Sequence, residues 1–312
     1  MHLPAAFTGR RWLEVALDYR CNLRCLGCHA CQDTGERLAS SEALALLRSG
    51  RARGIGGLWL GGGEPTLRDD LLSLVRMARQ LGYAEVTVQT NGVRLAYADY
   101  RAALVRAGVT EVRFNVKSHR ADVHDRLGGG VECHALMVEA VAGLGGTGVR
   151  VAADVLLSRT TMNELPETIA FFASHGVVSF TLWLLSSADA SRGGASEATA
   201  VVAEVPRISD LVPALRAALA EARKARVRLE SLHTPPCTIP SDLREIVTSC
   251  ADLSLVVVGP DGRPFALESS PFEGGAYLDG CSRCSRRSAC GGPRADYLAL
   301  FGDGEFSPLA GP

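Results

Sequence analysis

A surplus of either charge is missing from this 312-residue chain: 33 Lys+Arg stand against 34 Asp+Glu, a net charge of −1. So even a balance argues against a nucleic-acid backbone or an anionic membrane surface as the main partner. No run of about 18 uncharged apolar residues occurs, which excludes a membrane-spanning helix. Glycine and proline, at 33 and 14 residues, are too few for a low-complexity chain, and no internal repeat of fixed period is present. Lysine is nearly absent, with Lys117 and Lys224 the two examples. The opening stretch MHLPAAFTGRRWLEVALD has no basic segment leading into an apolar run, so a signal peptide is not expected and a cytoplasmic location is. Hydrophobic residues at 47% and charged residues at 21% describe a globular protein with a real core, as one large domain or two smaller ones.

What the chain does have is ten cysteines. Cytosolic thiols are kept reduced, so these point to metal binding or redox chemistry rather than to disulfide staples. Cys21, Cys25, Cys28 and Cys31 crowd near the start, and Cys281, Cys284 and Cys290 near the end; Cys133, Cys237 and Cys250 stand alone.

Between the clusters, β-rich runs at 12–17, 57–61, 84–89, 111–116, 149–157 and 177–185 alternate with amphipathic helical segments at about 41–53, 69–81, 97–107, 134–144, 163–175 and 207–225. Six such alternations predict an α/β fold with a parallel sheet, as a barrel, partial barrel or open sheet. The strands read as mostly apolar on both faces. Functional residues then belong at the C-terminal ends of the strands. Residues 186–200 are small, polar and without period, which predicts a mobile loop or lid. From Arg226 onward the alternation is lost. A strand LSLVVVG, a turn PDGR and the Cys-rich tail suggest a small, metal-held extension, so the division expected is 1–225 and 226–312.

Cys21-Asn-Leu-Arg-Cys25-Leu-Gly-Cys28 follows the first strand directly, and three thiolates at these spacings can converge on one metal centre. Zinc accepts similar pairs, and Cys28 with Cys31 could form a dithiol redox pair. The second strand ends in Gly61-Gly62-Gly63-Glu64-Pro65-Thr66, whose glycines allow close backbone approach and whose carboxylate suits a cation. The third ends in Gln89-Thr90-Asn91-Gly92. A zinc ribbon needs neither. C-x₃-C-x₂-C after the first strand with GGEPT after the second resembles the radical S-adenosylmethionine (SAM) superfamily over most of residues 12–225. Gly27 departs from the aromatic residue that the family usually carries before its third cysteine.

The resemblance implies a partial (β/α)6 TIM-type barrel, with a [4Fe–4S] cluster held by Cys21, Cys25 and Cys28. The fourth iron stays open for SAM, whose reductive cleavage yields a 5′-deoxyadenosyl radical. It implies that Gly62, Gly63 and Glu64 meet the methionine ammonium, that Asn91 and Ser118 serve the ribose, and that Ser158 and Arg159 hold the SAM carboxylate. Cys31 reads better as a loop thiol, because a fourth ligand would fill the open iron.

Cys281-Ser-Arg-Cys284-x₅-Cys290-Gly-Gly-Pro is the second cluster signal, and zinc is open here too. With Pro236-Cys237 upstream and Tyr297 and Gly302-Asp-Gly-Glu-Phe-Ser-Pro308 downstream, residues 232–308 resemble the auxiliary iron–sulfur (twitch/SPASM-like) domain of some radical SAM enzymes. That resemblance makes Cys237 the fourth ligand of a second [4Fe–4S] cluster, with Cys250 competing. A fully ligated cluster suits electron transfer. Ser118-His119 to His124-Asp125 reads as a solvated helix start, and Lys117 as a rim residue that could meet substrate. Cys133 is either a structural thiol or a hydrogen-atom donor, as in radical epimerases.

The function expected is a radical SAM oxidoreductase that takes hydrogen from an unactivated C–H bond with an oxidative outcome, on a small-molecule or natural-product intermediate. A flavodoxin- or ferredoxin-type reductant is implied. The absence of an N-terminal extension long enough for a peptide-recognition domain leans the same way. Alternatives are a maturase of a short ribosomal peptide, a Cys-dependent radical epimerase, or an electron-transfer or zinc-scaffold protein.

Overall fold

Residues 1–28, 35–188 and 195–311 are described by the structure, a computed structural model. Its strands are β1 (Trp12–Ala16), β2 (Gly57–Gly61), β3 (Glu85–Thr90), β4 (Glu111–Val116), β5 (Arg150–Leu157), β6 (Ser179–Leu184), β7 (Arg228–Leu232), β8 (Leu255–Val258) and β9 (Pro264–Ala266). They form one sheet in the order β7-β6-β5-β4-β3-β2-β1-β8-β9. Every neighbouring pair is parallel except β8 and β9, which close as an antiparallel hairpin around the Pro-Asp-Gly-Arg turn.

The helices are α1 (Ser40–Ala52), α2 (Leu71–Gln80), α3 (Ala98–Ala107), α4 (Ala121–Gly128), α5 (Cys133–Gly143), α6 (Leu165–Ser174), α7 (Ala195–Glu204), α8 (Ile208–Ala225) and α9 (Ala295–Phe301). Each of β1 to β6 is followed by at least one helix, which gives the six βα units of a partial barrel. Leu71, Leu74, Val75 and Ala78 show why α2 is a helix: they recur every three or four residues and are all buried. They pack on the outer sheet face, where Leu13, Val15, Leu58, Leu60, Val86, Val88, Val112 and Phe114 are fully buried. Each such side chain stabilises the fold by about 1.5–3 kcal/mol of removed apolar surface.

Three expectations change. The strands are not apolar on both faces. Their concave face carries Glu14, Trp59, Gln89, Arg113, Asn115, Asp154 and Trp183, alternating with the apolar outer set. The alternation does not end at Arg226, because β7 pairs in parallel with β6, and β8 with β1. Strands from both sides of residue 225 therefore share one sheet. Within 186–200, residues from Ala195 onward begin α7, whose Val201 packs with Leu185 and Val205; residues 189–194 lie outside the described residues. Among the described residues no helix is long and apolar enough to cross a membrane.

Candidate active site

The loop carrying Cys21, Cys25 and Cys28 leaves the C-terminal end of β1 and is pinned on several sides. Gly63 N donates to the Asp18 carbonyl at 2.8 Å and Glu64 N to the Arg20 carbonyl at 2.8 Å. A Cβ on Gly62 would overlap the Asp18 carbonyl, and one on Gly63 the Arg20 carbonyl; Gly62 also sits at φ +114°. These glycines thus let the end of β2 approach the cysteine loop itself. Across the loop, Leu26 N donates to the Leu127 carbonyl at 2.9 Å, and the Cys25 thiol lies 3.5 Å from the Gly128 carbonyl. Gly27 has φ +68°, and a Cβ there would stand 2.7 Å from Leu185 Cδ1, so a larger residue would be strained and would have to displace the Leu185 side chain.

At the loop's base, Asp18 and Arg68 form a buried ion pair at 3.5 Å. Arg68 also donates to the Leu38 carbonyl at 3.0 Å and pairs with Asp70 at 2.7 Å, closing the segment that returns to α1. Sequence reading missed this pair, although Arg68 lies four residues beyond Glu64.

Burial pushes the Cys21 thiol up to about 11, and Glu64, Cys25 and Cys28 add to this against the Leu23 amide. Burial also raises Cys25, and the Lys117 ammonium opposes that rise. All three thiols leave the one short loop at the C-terminal end of β1. Three convergent thiols fit an iron–sulfur cluster, whose cationic irons draw out the thiolates that burial disfavours.

Glu64 is buried and ties two strand ends together. Its Oε1 accepts from Thr66 N at 3.0 Å, Thr66 Oγ1 at 2.5 Å and Thr90 Oγ1 at 2.8 Å, and its Oε2 from Asn91 N at 2.7 Å. Asn91 Nδ2 donates to Asn22 Oδ1 at 2.8 Å, beside Cys21. Ser118 is buried, donating to Glu164 at 3.1 Å and accepting from Arg120 N at 3.0 Å. Ser158 Oγ pairs with Thr161 Oγ1 at 3.1 Å. Arg159 is exposed and donates to the Val205 carbonyl at 3.0 Å, which anchors the α7–α8 junction. Lys117, unlike Arg159, faces inward. It is 5% exposed, its Nζ donates to Asn115 Oδ1 at 2.6 Å, and it lines a small cavity with Leu26, Ser158 and Thr161.

The segment 118–125 opens α4 with Arg120, Ala121 and Asp122 exposed, but His124 turns inward: it is buried, its Nδ1 accepts from Lys117 N at 3.3 Å, and its ring packs on His134. Cys133, 1% exposed, directs its thiol to Asp125 at 3.0 Å, and the same carboxylate accepts His134 N. Burial, then Asp125, pushes that thiol up to about 12. Cys31 lies outside the described residues.

The concave sheet face joins Gln89 to residues that sequence reading did not single out. Asp154 accepts from Arg113 at 2.8 Å, Gln89 at 2.8 Å and Trp183 Nε1 at 3.1 Å, while Arg113 lies over the Trp59 ring at 5.0 Å. Polar residues recurring at alternate strand positions were the available signal.

The second cysteine group is assembled from distant segments. Cys237, Cys281, Cys284 and Cys290 line one cavity of about 390 Å³. Backbone amides of Gly292 and Leu309 reach Cys290 and Cys284 at 3.4 Å, and the Ser307 amide reaches Cys237. Amides aimed at sulfur stabilise thiolates, so this set also suits a cluster. Cys250 lies elsewhere, its thiol 3.3 Å from the Glu273 carbonyl. Arg294 holds this region to the end of β6 through the Leu184 and Leu185 carbonyls, at 2.9 and 2.7 Å. Tyr297 joins Glu305, which ties the Gly-Asp-Gly-Glu-Phe tail to α8 through Ser209 N at 3.0 Å.

The sequence profile of the radical SAM superfamily matches residues 17–172, half of the chain. The chain belongs to that superfamily. As a radical SAM enzyme it takes SAM and a [4Fe–4S] cluster and needs a reductant. A probable GTP 3′,8-cyclase of Saccharolobus solfataricus is 31% identical over 153 residues, 48% of this chain and 46% of that protein. The chain thus spans about half the length of that relative. SuiB of Streptococcus suis bound to SAM superposes with a TM-score of 0.70 at 14% identity, covering 96% of this chain and 76% of SuiB; SuiB is also known bound to its precursor peptide SuiA. anSMEcpe with bound SAM gives 0.60 at 12% identity, covering 93% and 94%. At these identities the two structures show the shared fold.

Proposed function

We propose that this radical SAM enzyme carries a second, fully cysteine-ligated [4Fe–4S] cluster and oxidises a small polar molecule. The observation that carries the reading is the convergence of Cys237, Cys281, Cys284 and Cys290 on one cavity. In this reading Cys21, Cys25 and Cys28 hold the first cluster, and Glu64 and the Gly62–Gly63 backbone face the methionine ammonium. Lys117, with Ser158 beside it, takes the SAM carboxylate in place of Arg159, which is exposed and donates through Nε to the Val205 carbonyl. When bound, SAM and the reduced cluster supply a 5′-deoxyadenosyl radical that takes a hydrogen atom from substrate. Four protein thiolates leave the second centre no open iron, so it suits electron uptake and an oxidative outcome. Arg113, Asp154, Gln89, Trp59 and Trp183 offer a substrate charged, hydrogen-bonding and aromatic partners on the concave face. Cys133 is structural here, since its thiol is buried and bonded to Asp125, which removes support from the epimerase alternative.

A short peptide is the second reading, favoured by the fold shared with SuiB. GTP belongs in the same substrate panel because of the Saccharolobus relative.

The test is anaerobic reconstitution followed by iron analysis and assay with SAM and dithionite. About eight irons per chain are expected, with release of 5′-deoxyadenosine, and Cys237→Ser is expected to lower the iron to about four. Eight irons retained in Cys237→Ser, or no 5′-deoxyadenosine from the wild type, would overturn the reading.

A further inference from the structure

Behind the auxiliary cysteines lies a second convergence of ligand atoms, drawn from three separate segments. His233 follows β7 at φ +62°, a left-handed backbone that a non-glycine residue adopts only where its surroundings enforce it. Its side chain is 5% exposed, and its ring lies 5.8 Å from the Trp183 ring. Cys250 comes from the segment before β8 and is buried. Glu273 comes from the loop after β9. The His233 nitrogen, the Cys250 sulfur and a Glu273 carboxylate oxygen all lie within 4.8 Å of one another.

His233 Nε2 is buried and faces the Glu273 carboxylate, 2.7 Å from its Oε2. A buried imidazole nitrogen, a carboxylate and a thiol gathered within 4.8 Å are a donor set that a bound cation would hold together. The cavity beside these groups, about 40 Å³, has room for a metal-bound water.

We propose that His233, Cys250 and Glu273 form a mononuclear zinc site distinct from both cysteine clusters. A thiolate, an imidazole and a carboxylate together match the borderline ligand preference of zinc, and three protein ligands leave a fourth position for water or substrate. The site sits between two working regions: Trp183 connects it to Asp154 on the concave sheet face, and its cavity is also lined by Cys290. Glu268, paired with Arg10 at 2.6 Å, lines the same cavity and adds negative charge. This assignment also accounts for Cys250 without making it an iron ligand.

The experiment is metal analysis and zinc X-ray absorption on the anaerobically purified full chain with its clusters loaded. About one zinc per chain is expected, with one sulfur near 2.3 Å and the remaining ligands near 2.0–2.1 Å. Cys250→Ser and His233→Gln should each lower zinc occupancy about tenfold or more while leaving the iron unchanged. Glu273→Gln, nearly isosteric, should also lose zinc, and it decides the matter if Cys250→Ser does not fold. Absence of zinc from wild-type protein grown with zinc, or zinc kept in Glu273→Gln or Cys250→Ser, would overturn the site. Iron lost from Cys250→Ser would equally overturn it, by making that residue a cluster ligand. Iron content reports the cluster reading and zinc content this one, so each can fail alone.

Discussion

Lys117 and Cys133 show how far a residue's meaning depends on its surroundings. In sequence, Lys117 is one of two lysines and little more; in the fold it is a buried ammonium near Cys25 whose hydrogen bond goes to the Asn115 amide. Replacing Lys117 by Met should weaken SAM binding about tenfold, the loss of one charge-assisted hydrogen bond. Equilibrium binding to the reconstituted protein measures it, and unchanged affinity would remove Lys117 from the SAM site. Cys133 is the opposite case, a thiol that its sequence left open to a structural or a chemical reading and that the fold sets against Asp125. Cys133→Ala should cost about 1–3 kcal/mol of stability by thermal melting, through the cavity and the lost hydrogen bond. Its rate of 5′-deoxyadenosine release should stay at the wild-type value.

At the scale of elements, the cysteine loop is shaped by what it docks against. Its own sequence supplies ligands, but the end of β2, the end of α4 and the Asp18–Arg68 pair hold its path. Arg68→Ala would leave the buried Asp18 carboxylate to Arg20 alone and strip the Leu38 carbonyl and Asp70 of their donor, a loss of about 1–3 kcal/mol. A lowered melting temperature and reduced iron at the first cluster are expected, and a variant as stable as wild type would show that the pair does not brace the loop. Gly63→Ala places a methyl against the Arg20 carbonyl. It should lose about half of the reconstituted iron, sparing the centre at Cys237, Cys281, Cys284 and Cys290. Iron analysis with electron paramagnetic resonance separates the two populations. The motif Gly-Gly-Glu was legible in sequence, but its part in clamping the neighbouring loop was not, because that contact joins residues more than 40 positions apart.

For the whole molecule, the acid limit of stability follows from the buried histidines between α4 and α5. Burial, then Lys117 and His134, pushes His124 down to about 3. The unfolded side chain titrates near 6.5, so between about pH 6.5 and 3 the unfolded chain binds a proton that the folded chain refuses. The contribution is fully present above about pH 6.5 and is lost as pH falls, by up to about 1.4 kcal/mol per pH unit. The melting midpoint should therefore fall between pH 7 and pH 5.5, and less steeply in His124→Gln; equal slopes would show that another group governs the acid limit. The six βα units and both cysteine groups were readable from the chain, because strand and helix periods and ligand spacings are local properties. β7 was not, since Arg-Leu-Glu-Ser-Leu alternates too briefly to be told from a loop, and it is held as a strand by pairing with β6. The polar concave face was hidden for a related reason: Glu14, Gln89, Arg113 and Asp154 are scattered over four strands and become one surface through parallel register. The sequence alone determined the parallel α/β architecture, membership of the radical SAM superfamily and the inventory of thiols. The tertiary structure decided which thiols stand together, bringing Cys237 to Cys281, Cys284 and Cys290 while setting Cys250 beside His233 and Glu273, because ligand convergence is fixed by chain packing across long separations rather than by spacing along it.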